Sequence, residues 1–111
     1  MKDRIELLIE LLFDDDASIA ERDDAAMDLG GFSDDQVITA LLLRAMNVNE
    51  DEIVLNSCGE SIGNIWSKKD FFDEKVYHSL PGTVRFGVYV VIKSRKPEWV
   101  KCYQLENDDF N

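Results

Sequence analysis

The segment Asp51–Trp66, DEIVLNSCGESIGNIW, constrains the fold most, because the chain carries an echo of it. Leu55, Cys58, Ile62 and Ile65 fall at helical spacing and predict one buried row. Glu52, Asn56, Glu60 and Asn64 recur every fourth residue and predict an outward row. The small pair Cys58-Gly59 leaves room for another helix to approach closely. Laid over Asp16–Ser33 at an offset of 33 residues, the segment matches small to small and aliphatic to aliphatic. Ala25 meets Cys58, Ala26 meets Gly59, Leu29 meets Ile62, Gly30 meets Gly63 and Phe32 meets Ile65. A repeat of this period reads as stacked helical hairpins, since one hairpin cannot bury its apolar face alone.

The rest of the chain fits that frame. Asp3–Phe13 carries the stripe Ile5, Leu8, Ile9 and Leu12, widened by Leu7 and Leu11. Asp14-Asp15-Asp16 breaks it, as solvated acids flanking a helix. A second helix is predicted over about Ala17–Gly30, with Ile19, Ala26 and Leu29 inward and Glu21, Asp24 and Asp28 outward. Gly30-Gly31 reads as a left-handed C-terminal stop. Ser33, with Gln36 in capping-box position, opens a third helix over about Asp34–Met46. Asn47–Glu50 is a polar link, and Ser67–Asp70 a polar turn after the fourth helix. A fifth helical pattern, Asp70–Leu80, turns Phe71, Phe72, Val76 and Leu80 inward. After the break at Pro81-Gly82, residues 83–95 fit either a strand, by alternation from Val84 to Ile92, or a helix with Arg85, Tyr89 and Lys93 outward. The repeat favours the helix. Beyond Pro97, either a short helix or a capping strand precedes an acidic end expected to fray.

The paired stretches Ala25-Ala26-Met27-Asp28-Leu29-Gly30-Gly31-Phe32 and Cys58-Gly59-Glu60-Ser61-Ile62-Gly63-Asn64-Ile65 resemble the second helix of HEAT-like repeats. The resemblance covers roughly residues 14–66 and reaches the last third by extension. The Val-Arg pair usual near the start of that helix is missing from the first two units, and Val84-Arg85 would be its counterpart in the third. The resemblance implies an all-α fold over 1–111 as one domain. It would be a short α-solenoid of about three antiparallel hairpins, with a C-terminal capping segment. The outward stripes of the second helices would then share one surface. Its expected partner-binding residues are Glu21, Asp24, Asp28, Glu52, Asn56, Glu60, Asn64 and Tyr89.

Charge points the same way. Twenty-three acidic residues face twelve basic ones, a net charge of -11. Such a chain repels nucleic acid and anionic membranes and captures basic proteins quickly. Among HEAT-like proteins it looks like the small immunity proteins of bacterial contact-dependent and polymorphic toxin systems. That resemblance implies a non-catalytic inhibitor whose partner is a basic toxin domain, a nuclease in many such systems. Two other readings stay open: an adaptor or scaffold module for a cellular protein, and an enzyme-associated docking subunit.

Catalytic chemistry finds little footing. His78 is the only histidine, with no nucleophile placed beside it by the pattern. Asp14-Asp15-Asp16 fails as a calcium loop: Ile19 stands where the sixth-position glycine belongs, and Ala25 where the twelfth-position glutamate belongs. No zinc spacing or phosphate loop occurs, so no metal, cofactor or enzyme activity is expected. No apolar run approaches the roughly 20 residues of a membrane span. The N-terminal MKDRIELLIELLF lacks a signal peptide's layout. Cys58 and Cys102 fit a reducing compartment, Cys58 as a small buried hydrophobe. The expectation is a cytoplasmic protein, monomeric when free.

Overall fold

The computed structural model describes residues 1–107. The acidic end expected to fray lies outside them. The described chain forms seven helices: α1 (Arg4–Leu12), α2 (Ile19–Leu29), α3 (Asp35–Ala45), α4 (Glu52–Lys69), α5 (Glu74–Ser79), α6 (Gly82–Arg95) and α7 (Pro97–Cys102). A single 3-10 turn follows at Leu105–Asn107. The described residues contain no strand, so the ambiguous stretch is helical. No helix among them is long and apolar enough to cross a membrane.

Local chemistry sets most helix starts. The Asp3 carboxylate accepts from the Glu6 amide at 2.9 Å and opens α1. Ser18 and Glu21 form a reciprocal capping box at α2, each bond 3.0 Å. Asp51 and Asp73 cap α4 and α5 through the amides of Ile53 and Val76. The expected Ser33–Gln36 box is not formed. Asp34 is the N-cap of α3, and its side chain makes no capping bond.

α4 is the central element. It packs against α2, α3 and α6, while α1 lies on α2 and α7 on α6. The contacts climb together along each pair. Asp23 faces Ser57 and Ala26 faces Ser61, while Gly59 faces Val84 and Gly63 faces Val88. Helices α2, α4 and α6 therefore run parallel. The echo positions play one role twice: Ala26 and Gly30 receive Ser61 of α4, as Gly59 and Gly63 receive Val84, Val88 and Val91 of α6.

The core gathers Leu12, Leu29, Val37, Leu41, Val54, Ile62, Ile65, Val88 and Ile92, all fully buried. Each such side chain contributes about 1.5–3 kcal/mol on leaving water. Cys58 is buried among them as expected and unpaired. A cluster of rings closes the far end. Phe72 touches Trp66, Tyr77, Trp99 and Tyr103, with centroids 4.6–5.5 Å away, and so fixes α7 to α4.

Several expectations need correction. α4 does not end at Trp66. It runs one turn further to Lys69, where lysines suit the helix C-terminus and Asp70 turns left-handed at φ 53°. α5 is shorter than read, since Phe71 and Phe72 precede it, and Phe71 is exposed. Ile19 and Leu7 are also exposed. Gly30 stays right-handed at φ −63° and no glycine has a positive φ, so Gly30-Gly31 is not a left-handed stop. Gly30 is instead a point of close approach: a Cβ there would lie 2.6 Å from the Ser61 hydroxyl.

Candidate functional site

The parallel helices α2, α4 and α6 share an outward face. Along the α2–α4 seam runs a cleft lined by Met27, Ser57, Glu60, Ser61 and Asn64, about 140 Å³. It meets a second cleft of about 290 Å³ that adds Gly30, Gly31, Lys68 and Arg95, the last residue of α6. The face is not purely polar. Met27 and Val90 are exposed by 58% and 43%. Lys68 and Arg95 lie toward the helix ends, where cations suit the dipoles.

The expected partner-binding residues divide. Glu60 and Asn64 come together with Met27 in the seam. Asp24 and Glu52 are exposed, Glu52 as the first residue of α4. Asn56 is half-buried, and its carbonyl faces the bare side of Gly87. Glu21 is engaged in the capping box, where bonds from the Ser18 backbone and side chain lower its pKa. Asp28 turns toward α1 and pairs with Arg4 at 3.3 Å, both exposed, a contact worth little. Tyr89 faces away from the seam. It is half-buried in a groove with Lys93, Pro97, Val100, Lys101 and Glu106 on the α7 side. The aromatic corner therefore does not share the face of Glu60 and Asn64.

Charge is distributed unevenly. Residues 1–67 hold sixteen acids against four bases, whereas 68–107 hold eight bases against five acids. Two of the four early bases are not available to solvent. Arg22 and Arg44 converge on Glu50, whose side chain is fully buried. Arg22 grips both carboxylate oxygens, at 3.0 and 3.1 Å, and Arg44 donates at 2.7 Å. The Asp51 amide adds a fourth donor at 2.7 Å. Arg44 reaches on to Asp15 at 2.8 Å and lies over the Phe13 ring. Burial pushes the Glu50 carboxyl up, but the bonds from Arg22, the Asp51 amide and Arg44 outweigh it and hold the group below the usual carboxylate range.

Sequence reasoning missed this network, placing Glu50 in a polar link and Asp15 among solvated acids. One signal was present. Arg44 falls on the same helical stripe as Val37, Leu41 and Ala45, so its charge has to be buried and paired. A second missed feature is an apolar groove on the opposite side, where α5 stands off from α3. Its two parts, about 320 and 210 Å³, share Leu42 and Val76.

His78 is exposed and faces Glu74 at 3.8 Å. Burial, with Glu50 nearby, pushes the Cys58 thiol up to about 12, which keeps it protonated and unreactive at neutral pH. Among the described residues no group of three His, Cys, Asp or Glu side chains converges as a metal would require. Comparison with known proteins finds no matching family model, curated protein or solved structure.

Proposed function

We propose that this chain is a non-catalytic protein-binding domain that captures and neutralises a basic partner, in the manner of an immunity protein against a bacterial toxin domain. On this reading the hairpins α1–α2, α3–α4 and α5–α6 form a short HEAT-like solenoid with α7 as its cap. The observation that carries it is the combination on one outward face of exposed carboxylates, Asp24 and Glu60, with exposed apolar residues, Met27 and Val90. Carboxylates steer a cationic partner in, and apolar contacts hold it. The concentration of acids in residues 1–67, with Arg22 and Arg44 spent internally, supports the same partner. A basic nuclease is the toxin class that fits, since its cationic cleft is built for phosphates and would accept carboxylates instead.

The test is a titration against a basic nuclease domain encoded beside this chain's gene, following nuclease activity. Activity should fall in proportion to added protein, reaching zero at a fixed stoichiometry. The variant Asp24→Lys/Glu60→Lys should need a much higher concentration. No inhibition and no complex at micromolar concentration would remove the reading.

A further inference from the structure

A second surface, beside the α2–α4–α6 face, lies where the hairpin loops α1–α2 and α3–α4 meet. Its apolar residues are unusually open. Val48 is 88% exposed, Ile53 59%, Ile19 42% and Phe13 39%. The geometry brings them to one edge. Asp23 accepts from Ser57 across the α2–α4 seam, so Ile19 and Ile53, one turn earlier on each helix, flank the mouth of that seam. Phe13 lies under the Arg44 guanidinium, which reaches on to Asp15 in the α1–α2 loop. Glu50 joins the two loops from below, through Arg22 to α2 and through Arg44 to Asp15.

The loops are also braced internally. The Asn47 side chain accepts from the Asn49 amide at 2.9 Å, and Glu50 closes onto the Asn47 carbonyl. Asp14 does the same for the Asp16 and Ala17 amides. Val48 is thus held out in water by a hydrogen-bonded turn over a buried ion network. That ordering is complete before any partner arrives, which lowers the entropy lost on binding.

The charge around this edge has one sign. Residues 13–21 and 46–53 contain seven acids and no lysine or arginine; Asp14, Asp15, Asp16, Glu21 and Glu52 are exposed, Asp51 is half-buried and Glu50 is buried. Arg22 and Arg44, the nearest cations, are directed inward. An apolar patch ringed by carboxylates with no free cation rejects an acidic partner and an anionic lipid surface. It also rejects a second copy of a chain with net charge -11.

We infer that the loop edge around Val48 and Ile53 is a preformed docking surface for a cationic amphipathic segment of a partner protein, with apolar side chains on Val48, Ile53 and Ile19 and lysines or arginines over the surrounding acids. This surface adjoins the α2–α4–α6 face at Glu52 but has apolar residues of its own, so either can fail without the other.

Amide NMR titrations with three synthetic peptides test it: a leucine/lysine amphipathic helix, its leucine/glutamate counterpart, and oligolysine. The leucine/lysine peptide should give saturable shifts concentrated in residues 13–19 and 46–53. The other two should bind at least about tenfold more weakly, each lacking one of the two interactions. Val48→Asp with Ile53→Asp should weaken leucine/lysine binding about tenfold while leaving the amide spectrum folded, because both side chains are exposed. Equal binding of the leucine/glutamate peptide, equal binding of oligolysine, or saturable shifts confined to Glu60 and Asn64 or to Leu42 and Val76 would overturn the assignment. Concentration-dependent shifts at the edge without any peptide, which would mark a second copy as the occupant, would also overturn it.

Discussion

A missing methyl group sets the separation of α4 and α6. A Cβ at Gly59 would lie 2.2 Å from the Val84 carbonyl oxygen, and one at Gly87 would lie 2.6 Å from that of Asn56. Both obstacles are backbone, so the helices have to move apart. Gly59→Ala should therefore lower stability by about 1–3 kcal/mol in denaturant titration. Gly31→Ala, whose Cβ meets only the Asp28 carbonyl at 3.3 Å, should change it far less. Glu50 gives a pH signature. Its folded pKa lies below its unfolded one, so its stabilisation is present above the usual carboxylate range and lost as pH falls through the folded value. Glu50→Gln leaves buried Arg44 and half-buried Arg22 short of a partner. It should cost about 3 kcal/mol at neutral pH, a gap that closes as the solution is acidified. A thiol reagent should modify exposed Cys102 in the native protein and buried Cys58 only on unfolding. At this scale the sequence was half legible. Cys58-Gly59 was correctly read as a point of close approach. Gly30-Gly31 was not, because glycine after a helix looks the same whether it supplies a left-handed turn or room for a neighbour.

Helices were legible where the apolar period is local and less so where distant partners decide. The buried row Leu55, Cys58, Ile62 and Ile65 is the buried row of α4. The helix runs past Trp66 because Lys68 and Lys69 find carbonyl and carboxylate partners at Gly30, Ser33 and Asp35, which no local pattern reveals. The stretch 83–95 alternates like a strand because its valines serve several neighbours: Val84 and Val88 meet α4, and Val90 remains exposed. α7 has no buried residue of its own and depends on Phe72 for its seat. Phe72→Ala should release it, lowering stability by about 3 kcal/mol and shifting the Trp99 fluorescence toward that of a solvated indole.

At the scale of the molecule, the small residues of α2 receive α4 as those of α4 receive α6, at positions that the echo pairs. The acidic stripe fared less well. Spacing along each helix fixed which residues point outward, yet the packing of α1 on α2 and of α7 on α6 draws Asp28 toward α1 and Tyr89 toward α7. Only Asp24, Glu52, Glu60 and Asn64 remain on or beside the shared face. The binding proposal rests on charge surplus steering a basic partner to that face, and salt reports on this directly. The decisive measurement is the dissociation constant of the complex with the basic toxin domain, taken from low to physiological salt. It should weaken by about tenfold or more over that range, with a shallower dependence for Asp24→Lys/Glu60→Lys. An affinity unchanged by salt, or a dependence that the double reversal leaves as steep, would contradict it.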